Sequence, residues 1–200
     1  MKYWVSKLNI KNEIRVIGFD DGPFVHIKGN KTLVVGVILR AREYLDGVLS
    51  TYITIDGLDA TDKIIELVNK SRHCDQLRVI LFDGLAVAGF NLIDIHRVCD
   101  ETGKIVIAVT SKKPNPARFV SALKNLDCYE VRFSIVDRAG DVRSVEINGK
   151  PIYFQCAGIG VDEAKVILKK TSVRSAVPEA IRMAHIIASG IVDAESRGRP

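Results

Sequence analysis

Arg78-Val79-Ile80-Leu81-Phe82-Asp83-Gly84-Leu85-Ala86-Val87-Ala88-Gly89-Phe90-Asn91 is the stretch whose reading decides the fold. Val79 to Phe82 is a short apolar run of the kind that forms a strand buried on both faces. A carboxylate, Asp83, closes the run, and a glycine follows at once. In open α/β sheets ligands gather beyond the carboxyl ends of the strands, so Asp83 stands where chemistry is usually done. The alternative is an aspartate that only caps the following turn. The rest of the chain has to decide between the two.

Upstream, Ile14 to Phe19 reads as a strand that runs into Asp20-Asp21-Gly22-Pro23, two adjacent carboxylates in a tight turn. Thr32 to Arg40 is strongly β-branched, and Val48 to Ile55 alternates polar and apolar residues as a half-exposed antiparallel strand does. The loop Asp56 to Asp62 is crowded with carboxylates and leads into a helix from Ala60 or Thr61 to Lys70. Downstream, the pattern predicts a helix from about Asn91 to Thr102, closed by Gly103, and a buried strand over Ile105 to Val109. A helix over Phe119 to Leu126 follows, then strand, turn and strand between Tyr129 and Glu146, and a last strand over Ile152 to Cys156. Two helices end the chain, one from Val161 to about Thr171 and one after Pro178 through Ser189.

Three antiparallel strands, then helix, strand, helix and strand, with helices behind, give an α/β chain with a ribonuclease H-like mixed sheet. One domain over 1–200 is expected, with a flexible tail from about 191 to 200. There is no GxGxxG and no GxxxxGK[ST], which argues against a Rossmann or P-loop site.

Composition narrows the class further. With 47% apolar residues in 200, the chain can bury a sizeable core. No apolar run is long enough to cross a bilayer and no signal pattern opens the chain, so a soluble cytoplasmic protein with no membrane partner is expected. Cys74, Cys99, Cys128 and Cys156 are scattered without a CxxC pair, which argues against a zinc knuckle or a disulfide scaffold. A formal net charge of +5 permits a polyanionic partner without requiring one.

The acids form a constellation. Asp20 ends the first strand, Asp83 ends the central one, and Asp62 starts the helix between them. If those strands are neighbours, their carboxylates converge and repel unless a cation sits among them. Hard oxygen ligands of this kind suit Mg²⁺ or Mn²⁺. Asp21, Asp56 and Asp59 are expected close enough to the same cleft to support the site or to serve as substitute ligands, Asp59 foremost in place of Asp62. Acids at strand ends and helix starts are also ordinary turn formers and caps, and that alternative stays open on spacing alone.

Asp20-Asp21-Gly22-Pro23-Phe24, Ile55-Asp56-Gly57-Leu58-Asp59-Ala60-Thr61, and Phe82-Asp83-Gly84 with Ala88-Gly89-Phe90-Asn91 downstream resemble a largely archaeal family. It is catalogued as domain of unknown function 99, the UPF0215 type, and is similar to endonuclease V, a ribonuclease H-fold nuclease that uses Mg²⁺. Gly18-Phe19-Asp20 matches the Gly-x-Asp of that nuclease, and Asp83-Gly84 its Asp-Gly. Counting back along the helix places Asp62 on its catalytic glutamate. Val177-Pro178-Glu179-Ala180-Ile181-Arg182-Met183-Ala184-His185 resembles its C-terminal motif and carries the fourth active-site position onto His185. The resemblance implies Asp20, Asp83 and Asp62 as metal ligands and His185 as a catalytic partner. DNA or RNA would be the partner, with Lys112, Lys113 and Arg182 on phosphates and Tyr52 placed to stack on a base.

The sequence departs from the nuclease in places. Thr51-Tyr52-Ile53-Thr54-Ile55 replaces its Pro-Tyr-Ile-Pro-Gly wedge, Asp62 is shorter than glutamate, and Ser111 stands where the nuclease has a lysine, one step before Lys112. Phosphodiester hydrolysis is therefore expected, without an expectation of inosine recognition. The alternative is a non-catalytic nucleic-acid- or protein-binding module on the same fold. His26, His73 and His96 are set aside as packing or surface residues.

Overall fold

The computed structural model describes residues 13–40 and 43–196. Its central sheet starts with β1 (Arg15–Asp21), β2 (Lys31–Arg40) and β3 (Tyr44–Thr54), an antiparallel meander in which Asp20 lies opposite Val35 and Asp21 opposite Val34. Helix α1 (Ala60–Lys70) then crosses back, so β4 (Val79–Asp83) can lie parallel to β1, with Phe19 opposite Phe82. A two-residue hairpin, β5 (Ala86–Val87) with β6 (Asn91–Leu92), leads into α2 (Ile95–Thr102), and β7 (Ile105–Thr110) pairs parallel to β4.

Next come α3 (Pro116–Leu123) and α4 (Tyr129–Ala139), the hairpin of β8 (Arg143–Ile147) and β9 (Lys150–Ala157), then α5 (Val161–Thr171) and α6 (Glu179–Val192). The seven main strands lie in the order β3-β2-β1-β4-β7-β9-β8. The sheet is buried by helices on both faces. Val16, Val35, Leu81, Ala180 and Ala184 belong to the core on the α5–α6 side, and Ile17, Phe19, Ile64, Phe82 and Val98 to the core on the α1–α2 side.

Four expected elements differ: β3 starts four residues before Val48, α3 starts and ends three residues ahead of the expected Phe119–Leu126, and the other two involve α4 and α2. Tyr129 to Ala139 is helical, although its Tyr, Val, Phe and Ile content favours strand. The segment leaves Val131 and Phe133 largely exposed and buries Arg132, whose guanidinium donates to the carbonyls of Asp56, Gly57, Phe90 and Asp127. Tertiary anchoring by one cation outweighs the local propensity. Helix α2 starts four residues later than expected, because Asp94 caps it by accepting from the Arg97 N–H at 3.1 Å while Asn91 and Leu92 pair as strand. The expected tail meets α6, which continues to Val192, and residues 197–200 lie outside the described residues.

Candidate functional site

Parallel pairing of β1 with β4 brings the acids together. With Phe19 opposite Phe82, the next residues along the two strands are Asp20 and Asp83, and the alternation that sends Val16 and Leu81 to the α6 side sends both carboxylates there too. Below them the Phe19 and Phe82 rings stack at 5.5 Å on the opposite face.

Helix α6 supplies the fourth group. Its Ala180, Ala184 and Ala188 recur every four residues, giving a smooth stripe that packs on the sheet. The approach is closest at Gly18, where a methyl group would stand 2.4 Å from the Ile181 nitrogen. That depth brings His185 Nδ1 to 2.9 Å from Asp20 Oδ2. Asp20 Oδ1 accepts from the Asp21 N–H at 2.9 Å, and Asp21 Oδ2 accepts from the Ala88 N–H at 2.6 Å.

Asp20, Asp21, Gly22, Pro23, Phe24, Asp83 and His185 line an open cleft of about 300 Å³. Burial, then the charges of Asp83 and Asp21, push the Asp20 carboxyl up to about 8. Burial and Asp21 also raise Asp83, opposed by His185 and Lys112, so Lys112 at the end of β7 stands close enough to act on Asp83. Burial raises Asp21, offset by the Ala88 N–H. Buried like charges of this kind are the environment that a bound cation would relieve.

The other expected site residues lie elsewhere. Asp62 is exposed and ion-paired with Arg97 at 2.6 Å. Ala60, Thr61, Ile64, Ile65 and Val68 form the buried stripe of α1, which turns Asp62 outward with Glu66 and Asn69. Asp59 is occupied: it accepts from Thr54 Oγ1 at 2.9 Å and from Asn91 Nδ2 at 2.7 Å. Arg182 donates through Nε to Glu179 Oε1 at 3.0 Å and is mostly buried. Tyr52 is exposed on β3, opposite Leu33 at the sheet edge and outside the cleft lining. Lys113 is exposed beside Lys112.

Among the described residues, no three His, Cys, Asp or Glu side chains are arranged to hold a metal ion. The pair Asp20 and Asp83 nevertheless suits Mg²⁺, which is commonly held by one or two carboxylates with water and substrate phosphate completing its shell. Pro23 and Phe24 were missed as cleft residues. The signal available was an aromatic residue directly after a strand-end turn.

Residues 12–192 match the family described as Endonuclease dU. The chain belongs to that family. The UPF0215 protein of Methanopyrus kandleri is 51% identical over 189 residues, covering 94% of this chain and 95% of that one. The crystal structure of an Archaeoglobus fulgidus protein of unknown function superposes with a TM-score of 0.81 at 39% identity, over 90% of this chain and 99% of that chain. Ciona intestinalis endonuclease V, solved with a 24mer DNA containing an inosine followed by a ribo-adenosine, gives a TM-score of 0.56 at 15% identity, over 86% and 83%. The chain therefore shares the endonuclease V fold, as its strand order led one to expect. No helix among its described residues is long and apolar enough to cross a membrane.

Proposed function

We propose that this chain is a metal-dependent endonuclease that hydrolyses a phosphodiester bond in DNA containing deoxyuridine. One observation carries the proposal: Asp20 and Asp83 stand on adjacent parallel strand ends in one cleft, Asp20 held by His185 and pushed up to about 8 by burial and by the charges of Asp83 and Asp21. The family description supplies the deoxyuridine. A Mg²⁺ or Mn²⁺ ion held by Asp20 and Asp83 would supply Lewis-acid activation of water and neutralisation of the phosphate charge.

The chain's own residues do the rest. His185 Nδ1 is engaged by Asp20, so Nε2 is the ring nitrogen left to exchange a proton. In the reaction a water oxygen bonds to phosphorus, the ester P–O bond breaks, and the water's proton passes to the leaving oxygen. His185 carries that proton. Lys112 steadies the phosphate beside Asp83, and the carboxylates orient the water.

A second proposal, a binding module that does not cleave, draws on the finding that no three His, Cys, Asp or Glu side chains among the described residues are arranged to hold a metal ion. One experiment separates the two. Mn²⁺ binding by calorimetry and cleavage of an oligodeoxynucleotide with a single deoxyuridine are compared between the wild type and Asp20→Asn/Asp83→Asn. Nuclease action requires saturable Mn²⁺ binding and a discrete product, both lost in the double variant. Oligonucleotide binding that is indifferent to Mn²⁺ and to the double variant, without any product, leaves the binding module.

A further inference from the structure

The acidic cleft poses a problem that its own charges cannot solve. A phosphodiester is repelled by the carboxylates that line it, and the cation and Lys112 proposed to meet its phosphates leave its bases unheld. The loop between β1 and β2 presents a neutral alternative. Pro23 and Phe24 line the same cleft as the acids and His185. Val25 is 76% exposed and Ile27 52% exposed, so neither side chain serves the core.

This loop is fixed in place. Gly22 N–H donates to Leu33 O at 2.8 Å, and Ile55 N–H to Asn30 O at 2.7 Å, which ties both ends to the sheet. At the middle, His26 Nε2 lies 2.7 Å from Asp56 Oδ2, while Asp56 Oδ1 accepts from the Phe90 N–H at 2.9 Å. Lys28 Nζ reaches Asp127 at 2.6 Å. Gly89 is the residue that this bracing demands: its φ is +82°, and a side-chain carbon there would stand 2.5 Å from Asp56 Oδ1. A loop that exposes apolar side chains yet is tied at four points has its ordering cost met before any ligand arrives.

We propose that Phe24 is the base-stacking element of the site: it takes a nucleobase lifted out of the stack beside the scissile phosphate, with Val25 and Ile27 against the neighbouring bases. This rests on the nuclease proposal and adds the element that grips the strand. An aromatic face attracts any base regardless of charge, which suits a cleft lined with carboxylates. A cleft of about 300 Å³ lies at the small end of ligand pockets and admits one unstacked base rather than a paired segment. Apolar side chains flanking such a base are the usual means of keeping a step unstacked.

The chain has a single tryptophan, Trp4, so fluorescence can be made specific to the loop. The test uses Phe24→Trp with Trp4→Phe, and Asp83→Asn to stop turnover. The probe is a single-stranded oligodeoxynucleotide carrying one deoxyuridine. Binding is followed by anisotropy of a label on the probe and, in parallel, by tryptophan emission. The proposal expects saturable quenching that tracks the anisotropy, and weaker quenching when an abasic analogue replaces the deoxyuridine. In the Asp83→Asn background, Phe24→Ala and Phe24→Leu should both weaken binding by roughly 5- to 100-fold, Leu retaining size but no ring. Binding without quenching, or Phe24→Leu binding as well as the parent, overturns the stacking role and leaves the nuclease proposal intact. Absence of any oligonucleotide binding by the Asp83→Asn variants and by the wild type alike overturns both.

Discussion

His185 on α6 and Asp20 on β1, 165 positions apart in the chain, meet at 2.9 Å through Nδ1 and Oδ2. The contact joins the last helix to the first strand and sits in the cleft that Asp83 also lines. Burial, then the charges of Asp83 and Asp21, keep the Asp20 carboxyl up near 8 at the centre of the site.

That raised value has a consequence for stability. Asp20 binds its proton more tightly in the folded than in the unfolded chain, so the native state holds more protons between about 4 and 8. Its contribution is fully present below pH 4 and is lost as pH rises through 8. Metal-free wild type should therefore melt at falling temperature over that window, relative to Asp20→Asn. At pH 8.5 the variant should be the more stable, by on the order of 2 kcal/mol or about 4–8 °C in thermal melts. Parallel pH curves for the two proteins would contradict the assignment.

Gly18 permits the approach of α6. Gly18→Val would drive methyl groups into the backbone of Ala180 and Ile181, and should cost about 1–3 kcal/mol in urea unfolding. Gly18→Ala should show a smaller loss of stability, yet both should lower activity by more than the stability loss accounts for, because His185 moves with the helix.

Asp62 gives a test in the opposite direction. It is exposed and paired with Arg97, and an exposed ion pair contributes roughly 0–1 kcal/mol. Asp62→Ala should leave Mn²⁺ affinity and cleavage within about twofold of wild type. A tenfold loss in either would return Asp62 to the site.

Lys112 and Lys113 are exposed at the end of β7, with Lys112 acting on Asp83. Replacing each by Ala should weaken oligonucleotide binding whatever the sequence, and lower the slope of log affinity against log salt by roughly 1 per lysine. An unchanged slope would place the strand elsewhere. Arg182→Ala, by contrast, should act mainly through stability, because Arg182 is tied to Glu179.

The strands that build the site were legible in the sequence. Val79 to Phe82 and the run into Asp20 carry apolar patterns dense enough to fix both position and burial, and parallel pairing follows from the crossover helix. Asp62 was misplaced because counting along a helix gives position without rotation. The rotation was available in Ile64, Ile65 and Val68, whose stripe leaves Asp62 on the other side. Helix α4 was illegible locally, since what holds it is a set of carbonyls from two distant loops, Asp56 and Gly57 in one and Phe90 in the other, meeting Arg132. Phe24 was invisible for a related reason: a loop aromatic reveals no neighbour until the chain closes around it.

The pairing of Phe19 with Phe82 has one more implication. Along β1, alternate residues face opposite sides of the sheet, so a slip of one position against β4 would exchange Asp20 for a phenyl ring at the mouth of the cleft and drive the carboxylate into the apolar core. Such a mispaired chain would be penalised twice, once by a stranded charge and once by a misplaced ring. The carboxylate is thus an alignment mark for folding: the chain that assembles its sheet correctly has, by the same event, assembled its chemistry.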